Sequence, residues 1–155
     1  MKNVVNKLIK KNKTISTMES CTGGYLAASI TNIEGSSQIL KFSAVTYSNE
    51  FKIKMGVNPK TIDEYSVYSM NVAREMSKCI SDFTNSNYGV GITGKLNRVD
   101  INNPYGEDNV VYISIYDRDD NRYYTKEVNV LNKSRLSCKK DIVHIIDKML
   151  ESLIL

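Results

Sequence analysis

Apolar residues along this chain recur with two different periods. Over residues 2–12, Val4, Val5, Leu8 and Ile9 fall on one face at helical spacing with lysines opposite, which predicts a short amphipathic helix. Residues 14–18 alternate and are rich in β-branched side chains, so they predict a strand. That strand runs into Glu19-Ser20-Cys21-Thr22-Gly23-Gly24, and residues 25–30 again read as helical. Gly35-Ser36-Ser37 marks a second turn, and residues 39–47 lead into a second strand, clearest over 42–47. Ser48 or Asn49 then caps a short helix through Lys54. Asn58-Pro59 reads as a loop, with a further short turn beginning at Thr61 or Asp63. Ser69 is the expected N-cap of a long helix through Phe83, with Val72, Met76, Cys79, Ile80 and Phe83 on one face.

Further on, residues 88–93 predict a short strand ending at Gly94, and 95–108 predict a loop containing Asn102-Asn103-Pro104 and Gly106. Residues 109–116 and 122–130 read as the two strands of a hairpin around a polar turn at 117–121. A final helix spans 134–153, with Ile142, Ile145, Ile146, Met149 and Leu153 on its apolar side. Strands alternating with helices, followed by a late hairpin, predict a three-layer α/β/α sandwich with a mixed, mostly parallel sheet. Ligands in such sheets sit beyond the carboxyl ends of the strands. Residues 19–24, 47–52 and 93–97 are therefore expected to share one cleft.

Composition changes this picture little. A length of 155 residues suits a single domain over 1–155. The net charge of +4 is mild, and the lysine clusters near each end read as solvated helix faces. Nucleic-acid binding would need a denser basic stripe with exposed aromatics, so no nucleic-acid partner is expected. Three widely spaced cysteines and one histidine form neither a zinc nor a disulfide pattern, so no metal is expected, and the thiols suit a reducing cytoplasm. No run approaches the roughly 20 apolar residues of a membrane span. The expected setting is therefore cytoplasmic, without a membrane partner.

Three segments carry candidate chemistry. In Glu19-Ser20-Cys21-Thr22-Gly23-Gly24, the glycines let backbone approach a ligand, and the following helix offers N–H groups to an anion. A tight strand-to-helix turn with Thr22 as cap fits the same residues. Gly35-Ser36-Ser37 taken alone is a turn. Tyr47-Ser48-Asn49-Glu50-Phe51-Lys52 combines a phenol with an amine, and a serine beside a lysine base can hydrolyse an amide without histidine. A Cys21–His144 dyad is disfavoured because His144 sits mid-helix. Ser137 and Lys140 have the spacing of a serine β-lactamase motif but lack its partner motifs. Asp117, Asp119 and Asp120 are explained by the hairpin turn.

Taken in order, the runs 17–24, 31–37, 45–52, 55–57, 69–76 and 91–94 resemble the CinA C-terminal domain family. The match covers about the first 95 residues, with a weaker continuation through 110–113 and Arg135. That resemblance implies hydrolysis of nicotinamide mononucleotide to nicotinic acid mononucleotide and ammonia, with no metal or other cofactor. Its expected partners are the small nucleotide substrate and a second copy of the chain in a homodimer. By position, Ser37 would attack, Lys52 would take the proton, Tyr47 would assist and Ser20 would lie beside them in the same site. Thr22, Gly23, Gly24, Asn49, Thr93 and Gly94 would shape the pocket, and Arg135 would meet the phosphate. In one place the chain departs from the family: a glycine-rich loop usually follows Gly94, whereas here bulky and charged residues follow. Lys95 and Arg98 are then candidates for the phosphate. The other expectation is a homologue weak in catalysis that binds a nucleotide or a protein.

Overall fold

The computed structural model describes residues 1–96, 101–130 and 134–154. The elements, in chain order, are α1 (Lys2–Lys10), β1 (Ile15–Glu19), α2 (Tyr25–Thr31), a 3₁₀ turn (Ser36–Gln38), β2 (Leu40–Val45), α3 (Asn49–Lys54), α4 (Pro59–Tyr65), α5 (Met70–Thr84), β3 (Tyr88–Gly94), β4 (Val110–Asp117), β5 (Arg122–Asn129) and α6 (Arg135–Leu153). The five strands form one sheet in the order β2-β1-β3-β4-β5. β1 pairs in parallel with β2 and β3, and the β3–β4 and β4–β5 ladders are antiparallel. Only β4 is thereby reversed, so the sheet is mixed and mostly parallel, as the pattern predicts.

Side-chain alternation assigns the layers. Ile15, Val90, Ile92, Val111, Ile113 and Ile115 face α1, α2 and α6, where Val5, Leu8, Leu26, Ile30, Ile142 and Ile146 meet them. Met18 faces the other way, onto Val57, Val67, Val72, Met76 and Ile80 of the layer built around α5. β1, β3 and β4 are buried along their whole length. Burial on both faces explains why β4 reads as an almost continuous apolar run.

β3 shows how closely the layers approach. Its glycines point at α5, and a Cβ built on Gly89 would lie 2.0 Å from the Ser77 carbonyl oxygen, while one on Gly91 would lie 2.4 Å from that of Ala73. Only glycine lets this helix rest directly on this strand.

One segment differs from expectation. Residues 58–65 are helical rather than a loop and turn: the Asn58 side chain accepts from the Lys60 N–H at 3.0 Å, and Pro59 opens the helix. Proline is well suited to a first helical position, where its missing N–H has no intrahelical partner. Among the described residues no helix is long and apolar enough to cross a membrane.

Candidate functional site

The carboxyl ends of β1, β2 and β3 lie side by side, and a cavity of about 650 Å³ opens there. Its described lining includes Ser20 after β1, Tyr47, Ser48 and Asn49 after β2, and Lys95 and Leu96 after β3.

Ser20, in its lining, is in contact with Lys52. The Ser48 side chain caps α3 by accepting from the Phe51 N–H, which fixes the short helix that carries the lysine. The rest of α3 is mostly exposed, whereas Lys52 turns inward and is 1% exposed. Its Nζ donates to Ser20 Oγ at 3.0 Å and to the Thr46 carbonyl at 2.7 Å. Ser20 is 6% exposed and its N–H donates to the Ile92 carbonyl, which ties the serine to the end of β3. A hydroxyl and an amine are thus held in contact at the edge of a cavity.

Ser37 does not share this site. It is exposed in the 3₁₀ turn ahead of β2, whereas Tyr47 and Lys52 follow the strand. The length of β2 separates them by about 20 Å at roughly 3.3 Å per residue. Between the two serines, Ser20 is the one in reach of Lys52.

The turn after β1 is also filled differently from the expectation. Glu19 is fully buried, and its carboxylate accepts from Thr22 Oγ1 at 2.6 Å and from the N–H groups of Gly24, Leu26 and Ala27 at 2.9–3.1 Å. The N-terminus of α2 is therefore occupied by the chain's own carboxylate and is not open to a ligand phosphate. Gly23 and Gly24, with φ of 59° and 91°, make the turn that brings those N–H groups onto Glu19. Thr22 and Thr93 belong to this scaffold: Thr93 Oγ1 donates to the Val67 carbonyl at 2.9 Å.

The outer wall holds the polar groups. Arg135, the first residue of α6, donates to the Leu96 carbonyl at 2.8 Å and to Tyr47 Oη at 3.2 Å. Tyr47 is 64% exposed and lies at the rim, tied to Arg135. Lys95 lines the cavity with its Nζ paired to Asp108, and Arg98 lies outside the described residues. Tyr68, Asn102 and Asn103 also line the cavity, and Asn49 Nδ2 donates to Asn103 Oδ1 at 2.8 Å. No local signal distinguishes these from ordinary loop residues, because their position depends on contacts across the fold. Among the described residues the lining includes Lys95 and Arg135 and no carboxylate. Cys21 also lines it, and burial pushes its thiol up to about 12. Such burial disfavours the thiolate that a cysteine nucleophile requires. No group of His, Cys, Asp and Glu among the described residues could hold a metal ion.

An α/β domain with helices on both faces of a mixed sheet, and Ser20 in contact with Lys52 at the carboxyl ends of its strands, is the arrangement found here. The model of the CinA C-terminal domain matches residues 1–154, and the chain belongs to that family. A relative from Alkaliphilus oremlandii, named for competence-damage induction, is 47% identical over 92 residues. Those residues are 59% of this chain and 22% of that relative, so the chain spans only a minor part of the curated relatives it matches. The solved CinA superfamily protein from Enterobacter cloacae superposes with a TM-score of 0.89 at 20% identity, over 99% of this chain and 89% of its own. The competence/damage inducible protein CihA from Agrobacterium tumefaciens gives 0.86 at 25% identity, over 99% and 95%.

Proposed function

We propose that this domain hydrolyses the carboxamide of nicotinamide mononucleotide, with Ser20 as nucleophile and Lys52 as its base. The observation that carries this reading is the 3.0 Å contact from Lys52 Nζ to Oγ of Ser20, which lines the cavity. The substrate comes from the family resemblance.

In the first step neutral Lys52 accepts the Ser20 proton as Oγ bonds to the carboxamide carbon. Lys52 then returns that proton to the departing nitrogen, releasing ammonia and leaving an ester on Ser20. Water attacks the ester with Lys52 again as base, and Ser20 recovers its proton. The Cys21 N–H follows the nucleophile directly in the chain, which suits it to the oxyanion. Arg135 has no acidic partner among the described residues, and this supports contact with the substrate phosphate.

Ammonia release from nicotinamide mononucleotide by the wild type and by Lys52→Ala tests the assignment. Wild-type release with at least about a thousandfold loss in the variant is expected, and equal rates contradict it. A second reading, nucleotide binding with little turnover, is favoured by the Tyr47 phenol, which bonds to Arg135. Under that reading nucleotide stabilises the fold without ammonia release.

Two further features belong to this proposal. β2 is an edge strand whose Phe42 and Val45 are exposed together with Phe51 on α3, which supports pairing with a second copy of the chain. No disulfide joins Cys21, Cys79 and Cys138, in keeping with a cytoplasmic setting.

A further inference from the structure

Lys95 lines the catalytic cavity, yet the mechanism above leaves it without a role. It follows Gly94 at the end of β3, and its side chain is 1% exposed. A buried ammonium is costly unless it is paired and hydrogen-bonded. Here Nζ donates to Asp108 Oδ1 at 3.0 Å and to the Gly106 carbonyl at 3.1 Å, and it lies 5.2 Å from the centre of the Tyr68 ring. The lysine thus holds the chain where it returns toward β4.

The same excursion from the sheet, between β3 and β4, supplies Leu96, Asn102 and Asn103 to the cavity. Ser66 Oγ donates to its Tyr105 carbonyl and Arg135 to its Leu96 carbonyl, and two further side-chain contacts fasten it. Asn103 is held by the neutral bond from Asn49, and the neck is held by the charge-assisted bond from Lys95. Charge-assisted bonds are roughly twice as strong as neutral ones. Asp108 is half exposed, while the lysine end is sealed from water.

We propose that Lys95 is a positioning residue that fixes this wall against Ser20, and through it sets how tightly the site binds substrate. The residue does so without touching substrate itself. The proposal rests on the site assigned above but does not depend on the identity of the substrate.

The test uses Lys95→Met and Asp108→Asn in the full chain. Cysteine modification by N-ethylmaleimide is followed residue by residue by mass spectrometry. Cys21 reports on the cavity, and Cys138, buried on α6, reports on the fold as a whole. Cys21 is expected to react about tenfold faster in each variant while Cys138 is unchanged, as local opening requires. KM for nicotinamide mononucleotide is expected to rise by about tenfold with kcat within about threefold. Unchanged Cys21 reactivity in either folded variant overturns the proposal. A parallel rise at Cys138, including one caused by failure to fold, shows general loosening and overturns it too. If Cys21 responds as expected but the wild type releases no ammonia, the role of Lys95 stands and the substrate reading fails.

Discussion

Glu19 and Ser20 are adjacent in the chain and divide two tasks between them: Glu19 caps α2 from inside, and Ser20 faces Lys52. The carboxylate that organises the turn is thus directly next to the hydroxyl that the turn presents. Replacing Glu19 with Gln keeps the shape but removes the charge, and it sets amide hydrogens against backbone N–H groups. A stability loss of about 2–4 kcal/mol is expected, since each bond to a charged group is worth about 1.5–3 kcal/mol and the helix dipole adds to it. Urea unfolding of Glu19→Gln measures it, and a loss below about 0.5 kcal/mol contradicts the capping role.

The contact between α5 and β3 is as demanding. Gly89→Ala places a methyl carbon 2.0 Å from the Ser77 carbonyl oxygen, so the helix must move. Overpacking of this kind costs about 3 kcal/mol or more where backbone cannot give way. Thermal unfolding of Gly89→Ala is expected to show a marked fall in Tm, and an unchanged Tm would mean that α5 slides freely on the sheet.

Much of this was legible in the sequence, for reasons local to it. The Ser69 cap followed by the Val72-Met76-Ile80 face defines α5, and Ser69 Oγ does accept from the Val72 N–H. Alternating glycines in Tyr88-Gly89-Val90-Gly91 carry a strand signal, but not the reason for the glycines, which is a helix backbone elsewhere in the chain. α4 was hidden because Asn58-Pro59 serves equally as a loop and as a capped helix start. The order of motifs brings Ser20, Ser37 and Lys52 to mind together. Which end of β2 each one occupies decides between the two serines. Asn103 meets Asn49 across 54 residues of chain, a separation that no local pattern encodes.

Alkaline pH offers a separate check. Burial raises the Cys21 thiol to about 12, whereas an unfolded cysteine ionises near about 8.5. Above that lower value the unfolded chain binds fewer protons than the native one, so stability falls as pH rises. The contribution from Cys21 is complete below about pH 8 and is lost progressively toward pH 12. Cys21→Ala is expected to flatten the decline measured by denaturant unfolding between pH 8 and about 10.5, relative to the wild type. An identical pH dependence in both proteins contradicts the shifted thiol.

The central claim is that Ser20, rather than Ser37, works with Lys52. Ammonia release from nicotinamide mononucleotide by Ser20→Ala and Ser37→Ala tests it most directly. The account predicts a loss of at least about a thousandfold for Ser20→Ala, with Ser37→Ala within about threefold of wild type. Activity retained in Ser20→Ala and lost in Ser37→Ala would contradict it.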